Sequence, residues 1–170
     1  MKRILGLFSI IILAAFTAEA QTLKFGHINS DELIQAMPEF DSANVKLEKL
    51  QKELMNTLEL MSVELNNKSE TYNKESKNYT DLVRQTKEQE LVDLNRRIQD
   101  FQTNAQSQFQ NRQIELLQPI YAKVDKALKD LGKENGFVYI FDIAKGGLVF
   151  YDETKSTNVM PLARAKLGLK

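Results

Sequence analysis

The chain has no cysteine and only one histidine among its 170 residues. That excludes a disulfide framework and any thiolate metal site. It also leaves little for a zinc centre, which draws its ligands mainly from Cys and His. Charge of one sign is missing too, since 23 basic residues balance 23 acidic ones. Nucleic-acid proteins show a strong basic excess, so that class is set aside. The longest gap is in helix breakers: residues 39–118 contain neither Gly nor Pro. Eighty residues without a breaker, with strand-like segments on both sides, cannot fold back into an ordinary compact core. They must project, pair with themselves or find partner chains.

The N-terminus sets the compartment. Lys2 and Arg3 precede an apolar run at residues 4–16, and Ala18-Glu19-Ala20 supplies a small-x-small cleavage site. This is the pattern of a secretory signal peptide over 1–20. A run of 13 residues is short of the ~20 needed to span a bilayer. The mature chain then starts at Gln21, with 21 basic and 22 acidic residues, and is expected in the periplasm as a soluble protein. No Cys follows the signal to carry a lipid.

Residues 22–29 (TLKFGHIN) read as a strand, and Ser30 or Asp31 as the cap of a short helix carrying Leu33, Ile34 and Met37. Pro38 ends that helix and Phe40 opens the long one. Its apolar stripe runs Phe40, Ala43, Leu47, Leu50, Leu54, Leu58, Met61, Leu65. Steps of three and four make a heptad seam, with a stutter between Leu54 and Leu58. The seam thins through the polar residues 66–80, where only Tyr72 and Tyr79 hold it. It recovers at Leu91, Leu94, Ile98, Phe101, Ala105, Phe109, Arg112, Leu116, Ile120, Val124, Ala127 and Leu131. A reversal at about 76–84 would fold the run into an antiparallel hairpin and bring the flanking strands together. Pro119 predicts a kink in the return helix, and Asn135-Gly136 a stop.

Residues 137–143 (FVYIFDI) form a strand pattern apolar on both faces, which predicts burial on both. Gly146-Gly147 predicts a hairpin turn into a partner strand at 148–151 (LVFY). Residues 154–157 read as loop. Pro161 suits the first turn of a final helix ending at Gly168.

No catalytic constellation emerges. His27 sits in a strand-like run without a motif around it, and a packing histidine is the better reading. Gly146-Gly147 precedes a strand and lacks the Lys and Ser/Thr of a phosphate loop. The expectation is a protein that is no enzyme and takes no cofactor. What remains is surface. Met61, Leu65, Phe101 and Phe109 are seam positions by spacing, and the hairpin seam is their plainer explanation. Tyr72 and Tyr79, where the seam is weakest, are the best candidates to touch an unfolded chain through many weak contacts.

The residues 23–40 (LKFGHINSDELIQAMPEF), 126–143 (KALKDLGKENGFVYIFDI) and 148–168 (LVFYDETKSTNVMPLARAKLG) resemble the Skp (OmpH-like) family of periplasmic chaperones. The order of elements is similar over essentially the whole mature chain. The resemblance implies an α+β fold: a long antiparallel helical hairpin, or coiled-coil arm (40–118), inserted between strands of a small β-barrel trimerisation body (21–39 and 119–170). It implies a homotrimer whose arms surround a cavity for unfolded outer-membrane proteins, which are held without ATP. Leu23, Phe25, Ile28, Val138, Ile140, Val149 and Tyr151 would then build the body. Met61, Leu65, Tyr72, Tyr79, Phe101 and Phe109 would meet the client. It also implies transient contact with the membrane surface, although the near-neutral charge gives little drive for it. The competing reading is a structural coiled-coil adaptor that docks on a folded envelope protein.

Overall fold

A computed structural model describes residues 23–169 of the chain. The expected signal peptide lies outside the described residues. The order is strand β1 (Lys24–Ile28), helix α1 (Ser30–Gln35), helix α2 (Pro38–Glu75), a turn, helix α3 (Asp81–Glu134), strands β2 (Phe137–Asp142) and β3 (Ser156–Asn158), and helix α4 (Met160–Leu167).

The two long helices form where the sequence has no breaker. With 38 residues, α2 is about 57 Å long at ~1.5 Å per residue. It opens at Pro38, two residues before Phe40, because Pro at the first turn needs no N–H partner. A single 3₁₀ turn, Ser76–Asn78, ends it, and Thr80 caps α3 by accepting the N–H of Val83. The return helix therefore starts at Asp81. It continues through Pro119 without a break.

Glu39 pairs with Lys123 at one end of the two helices, and Tyr72 with Glu88 at the other. Every residue of the predicted stripe in both helices is buried or half-buried. Several apolar residues off the stripe stand out in water, with Val45, Met55 and Leu60 all more than 60% exposed, whereas Leu117, also off it, is buried in the core. Spacing at three and four puts side chains on one helix face, and that face is the one covered.

The core lies where α1, the base of α2 and the end of α3 meet β1 and α4. Ile28, Leu33, Met37, Leu131, Val159 and Ala163 are its most buried members. Here Gly26 is required by close approach, since a Cβ would stand 2.9 Å from Val159 Cγ1. Gly136 ends α3 with φ of 67°, a left-handed conformation that a side chain would strain.

The sheet differs from the expectation in three ways. It is parallel, in the order β2-β1-β3, with β1 in the middle. The third strand is Ser156–Asn158, inside and beyond the expected loop, and residues 148–151 form no strand. The local reason is Asp142. Its carboxylate accepts the N–H and the hydroxyl of Ser30 (3.1 and 2.5 Å) and the N–H of Ala144 (3.1 Å). These bonds turn the chain into the short helix Ile143–Lys145 as β2 ends. The first helix is capped by Asn29, not Ser30 or Asp31.

The third difference is burial. The strand 137–142 is not covered on both faces of the chain. A register shift between Lys24 and Phe25 leaves Val138 without a partner. Phe137 then packs with Ile140 against the core, while Tyr139 and Phe141 are exposed.

Replacing the Asp142 carboxylate should be felt, because it leaves Ser30, itself buried, without an acceptor. Asp142→Ala is expected to cost about 1–3 kcal/mol, read as a lower urea midpoint with an unchanged slope.

Candidate functional site

Two surfaces carry the exposed chemistry of the molecule, one on the sheet and one along the long helices. On the sheet, alternation along β1 and β2 places Phe25, Tyr139 and Phe141 together. The rings of Phe25 and Tyr139 stack at 6.2 Å, and those of Tyr139 and Phe141 at 5.9 Å. Tyr139 is 59% exposed, so this row of rings is uncovered within the chain. Beyond it, Val149 and Phe150 in the excursion from β2 to β3 are almost fully exposed.

The predicted body residues divide. Leu23, Val138 and Val149 are exposed, and Phe25 and Tyr151 half-buried. Ile28 and Ile140 are turned inward, Ile28 into the core and Ile140 against it. Tyr139, Phe141 and Phe150 were missing from the predicted set. The alternation of FVYIFDI did set Tyr139 and Phe141 apart from Val138 and Ile140. Which of the two faces meets the helices depends on the distant packing of α3.

His27 is a packing residue on the same face. It is 8% exposed, its Nδ1 lies 2.9 Å from Oγ of Ser156, and Tyr151 covers it at 4.6 Å. Beside it is a cleft of about 390 Å³ that Glu32, Tyr151 and Glu153 help to line. Among the described residues no group of His, Cys, Asp or Glu could hold a metal ion.

Along the helices, Met61, Leu65, Phe101 and Phe109 are half-buried at stripe positions. The seam loosens in the middle. Arg112 takes a stripe position and reaches Glu115 on its own helix at 2.7 Å. Between the two helices a cleft of about 700 Å³ opens there, lined by Lys46, Lys49, Leu50, Asn104, Gln108 and Arg112 among others. With Glu115 as its partner the guanidinium stays in contact with water, so it does not fill the seam as an apolar side chain would.

Near the turn, tyrosines stand in for the aliphatic seam. Tyr72 donates its hydroxyl to the Glu88 carboxylate across the two helices. Tyr79 donates to Glu75 at 2.9 Å. The two rings lie 6.4 Å apart at 50°. The acceptor carboxylates hold both phenols above their ordinary pKa, with a smaller contribution from desolvation. A raised pKa stabilises the fold below the ordinary phenol range and is lost as pH rises through the shifted value. These links therefore persist through neutral pH. At the other end, the Lys123 ammonium donates to Glu39 at 2.5 Å and lowers the carboxyl's pKa. Both side chains of that pair are half exposed, so it marks the register of the helices more than it stabilises them.

The fold and these surfaces define a class: a mostly helical α+β protein in which two long helices are inserted between the strands of a small parallel sheet. The chain belongs to the outer membrane protein (OmpH-like) family, whose sequence model matches residues 24–165. The match begins with β1 and ends inside α4. No curated protein matches the chain. Among the described residues no helix is long and apolar enough to cross a membrane.

Proposed function

We propose that the protein is an ATP-independent periplasmic holdase, which binds unfolded outer-membrane β-barrel proteins between helical arms and keeps them from aggregating. The observation that carries this reading is the pairing of two surfaces on one small chain. A row of aromatic rings lies uncovered on the sheet, and a helix pair longer than the body could need carries spare apolar groups in water. A monomer rarely leaves a contiguous apolar patch unused. Three copies closing over Phe25, Tyr139 and Phe141 would join their sheets into a β-barrel body formed by 21–39 and 119–170. The helices of 40–118, with a tip at 76–84, would then hang from it as coiled-coil hairpin arms around a cavity. Membership of the OmpH-like family supports the client class, and the pattern of residues 1–20 supports export through a cleaved signal peptide.

In this reading Leu23, Phe25, Val138, Val149 and Tyr151 lie at or near the contacts between copies, and Ile28 and Ile140 support them from inside. Met61, Leu65, Phe101 and Phe109 keep a dual role. They are half-buried within the seam and become available to a client where the helices part. Off-seam groups such as Met55, Leu60 and Ile114 add dispersed contact area. Many weak contacts suit a chaperone that must accept varied sequences and let them go.

The test is dilution of a urea-unfolded outer-membrane barrel into buffer with the mature protein at one trimer per client. The expected result is suppression of light scattering without added nucleotide. Undiminished scattering at that ratio would sink the reading, and capture of a single folded envelope protein would favour the adaptor instead.

A further inference from the structure

We propose that the cleft at the turn between α2 and α3 accepts one aromatic side chain of an unfolded polypeptide. This deepens the holdase reading and rests on it, by naming what a client offers to the tip of the arm. The cleft measures about 220 Å³ and is walled by Lys68, Thr71 and Tyr72 at the end of α2 and by Tyr79, Lys87 and Leu91 beyond the turn. Sites for whole small molecules run from about 300 to 1,000 Å³, so this one is sized for a single side chain.

Its chemistry selects the kind of side chain. The rings of Tyr72 and Tyr79 stand 6.4 Å apart at 50°, within the separation and tilt that aromatic pairs prefer. Both hydroxyls are already committed, one to Glu88 and the other to Glu75. What the tyrosines have left to offer is ring face and ring edge, and Leu91 adds an aliphatic wall. The two lysines on the rim pair with Glu64 and Glu90 at 3.2 and 3.0 Å. Neither lysine is thus a free cation for an acidic occupant. An aliphatic side chain gains only buried area here. An aromatic ring gains that area and the quadrupolar contact with two tilted rings.

The site also explains why the seam turns polar at 66–80 without the helices parting. The Tyr72–Glu88 bond joins the two helices there, so the tip does not depend on aliphatic seam residues and the cleft beside the rings stays open.

The experiment is an NMR titration of the isotope-labelled mature protein with N-acetyltryptophanamide, using N-acetylleucinamide as the control probe. The expected result is saturable shifts at residues 71, 72, 79 and 91, with the tryptophan probe bound about fivefold more tightly. That ratio follows from an aromatic pair worth about 1 kcal/mol. Tyr72→Leu and Tyr79→Leu should each remove the preference, and Tyr72→Phe, which keeps the ring, should retain it. Circular dichroism confirms that the variants are helical. Equal affinity for the two probes, or an unchanged preference in both leucine variants, overturns the proposal. Client protection by the unsubstituted protein, measured alongside, separates the two ideas. Protection without an aromatic preference overturns the cleft alone, whereas failure to protect overturns the holdase reading itself.

Discussion

Tyr139→Asp is expected to convert the associated protein into folded monomers. Tyr139 is 59% exposed and stacks between Phe25 and Phe141 on the uncovered side of the sheet. The chain's own core lies on the opposite side, around Ile28, Leu131 and Val159. An aspartate at 139 therefore meets water in the single chain and costs little there. In an assembly that closes over this face, it would be a buried charge with no cation to meet it. The rings it faces, Phe25 and Phe141, are apolar, and Lys24 already sits over the Phe137 ring at 4.2 Å. Loss of a central aromatic anchor typically costs about 2–4 kcal/mol, which is roughly 30-fold to 1,000-fold in the association constant. Sedimentation equilibrium reads the mass, and far-ultraviolet circular dichroism shows whether the helices persist. A monomer with intact helices is the expected result. An unchanged mass would mean that the aromatic row is not the contact between copies.

The second large effect is expected at Leu131→Ala, and it should appear in stability rather than mass. Leu131 is 1% exposed at the point where α3 re-enters the body. It belongs to the cluster that joins α1, α3, β1 and α4. Truncation removes buried methyl groups and leaves a cavity that rigid neighbours only partly fill, at a cost of about 2–5 kcal/mol. The backbone role of the position is unaffected, because the Leu131 carbonyl still accepts from the N–H and the side-chain amide of Asn135. Leu60→Ala is the matched control: Leu60 is 70% exposed, and its loss should change stability by no more than about 0.5 kcal/mol. Urea unfolding of both variants at equal concentration gives the comparison. Similar costs at the two sites would contradict a stability centred on the body.

The contrast between Leu131 and Leu60 shows why the helices were legible in the sequence. Both are leucines on the long helices, and their phase against the stripe tells them apart. That phase is a local property of a 3.6-residue repeat, so spacing assigned most of the covered face, though it passed over Leu117, which is buried in the core. The helix ends were less sharp. Ser76–Asn78 lies inside a polar window that offers several turn sites, and Thr80 became the cap through one bond to Val83.

The sheet was harder because its rules are not local. Ser156–Asn158 has no apolar alternation to announce a strand. It is one because it pairs with Phe25, Gly26 and His27 far away in sequence, and because His27 reaches Ser156. Residues 148–151 show the converse. LVFY has strand composition, yet it pairs with no strand of the chain once the Asp142 bonds have turned the backbone after β2. Among the candidate site residues, Tyr72 and Tyr79 stood out as the only aromatics in a polar window. The partner of Tyr72 did not, since Glu88 lies on the other helix. Tyr139 and Phe141 were visible as one face of an alternating strand, but sequence could not say that this was the face left bare.

The central claim is that several small bodies share one sheet surface and hold long helix pairs out into solution. Small-angle scattering of the mature protein, with the mass determined on the same sample, tests it most directly. The account predicts the mass of three chains and a particle extended by arms of about 57 Å, the length of α2. The mass of one chain, or of two chains in a single rod, would contradict it.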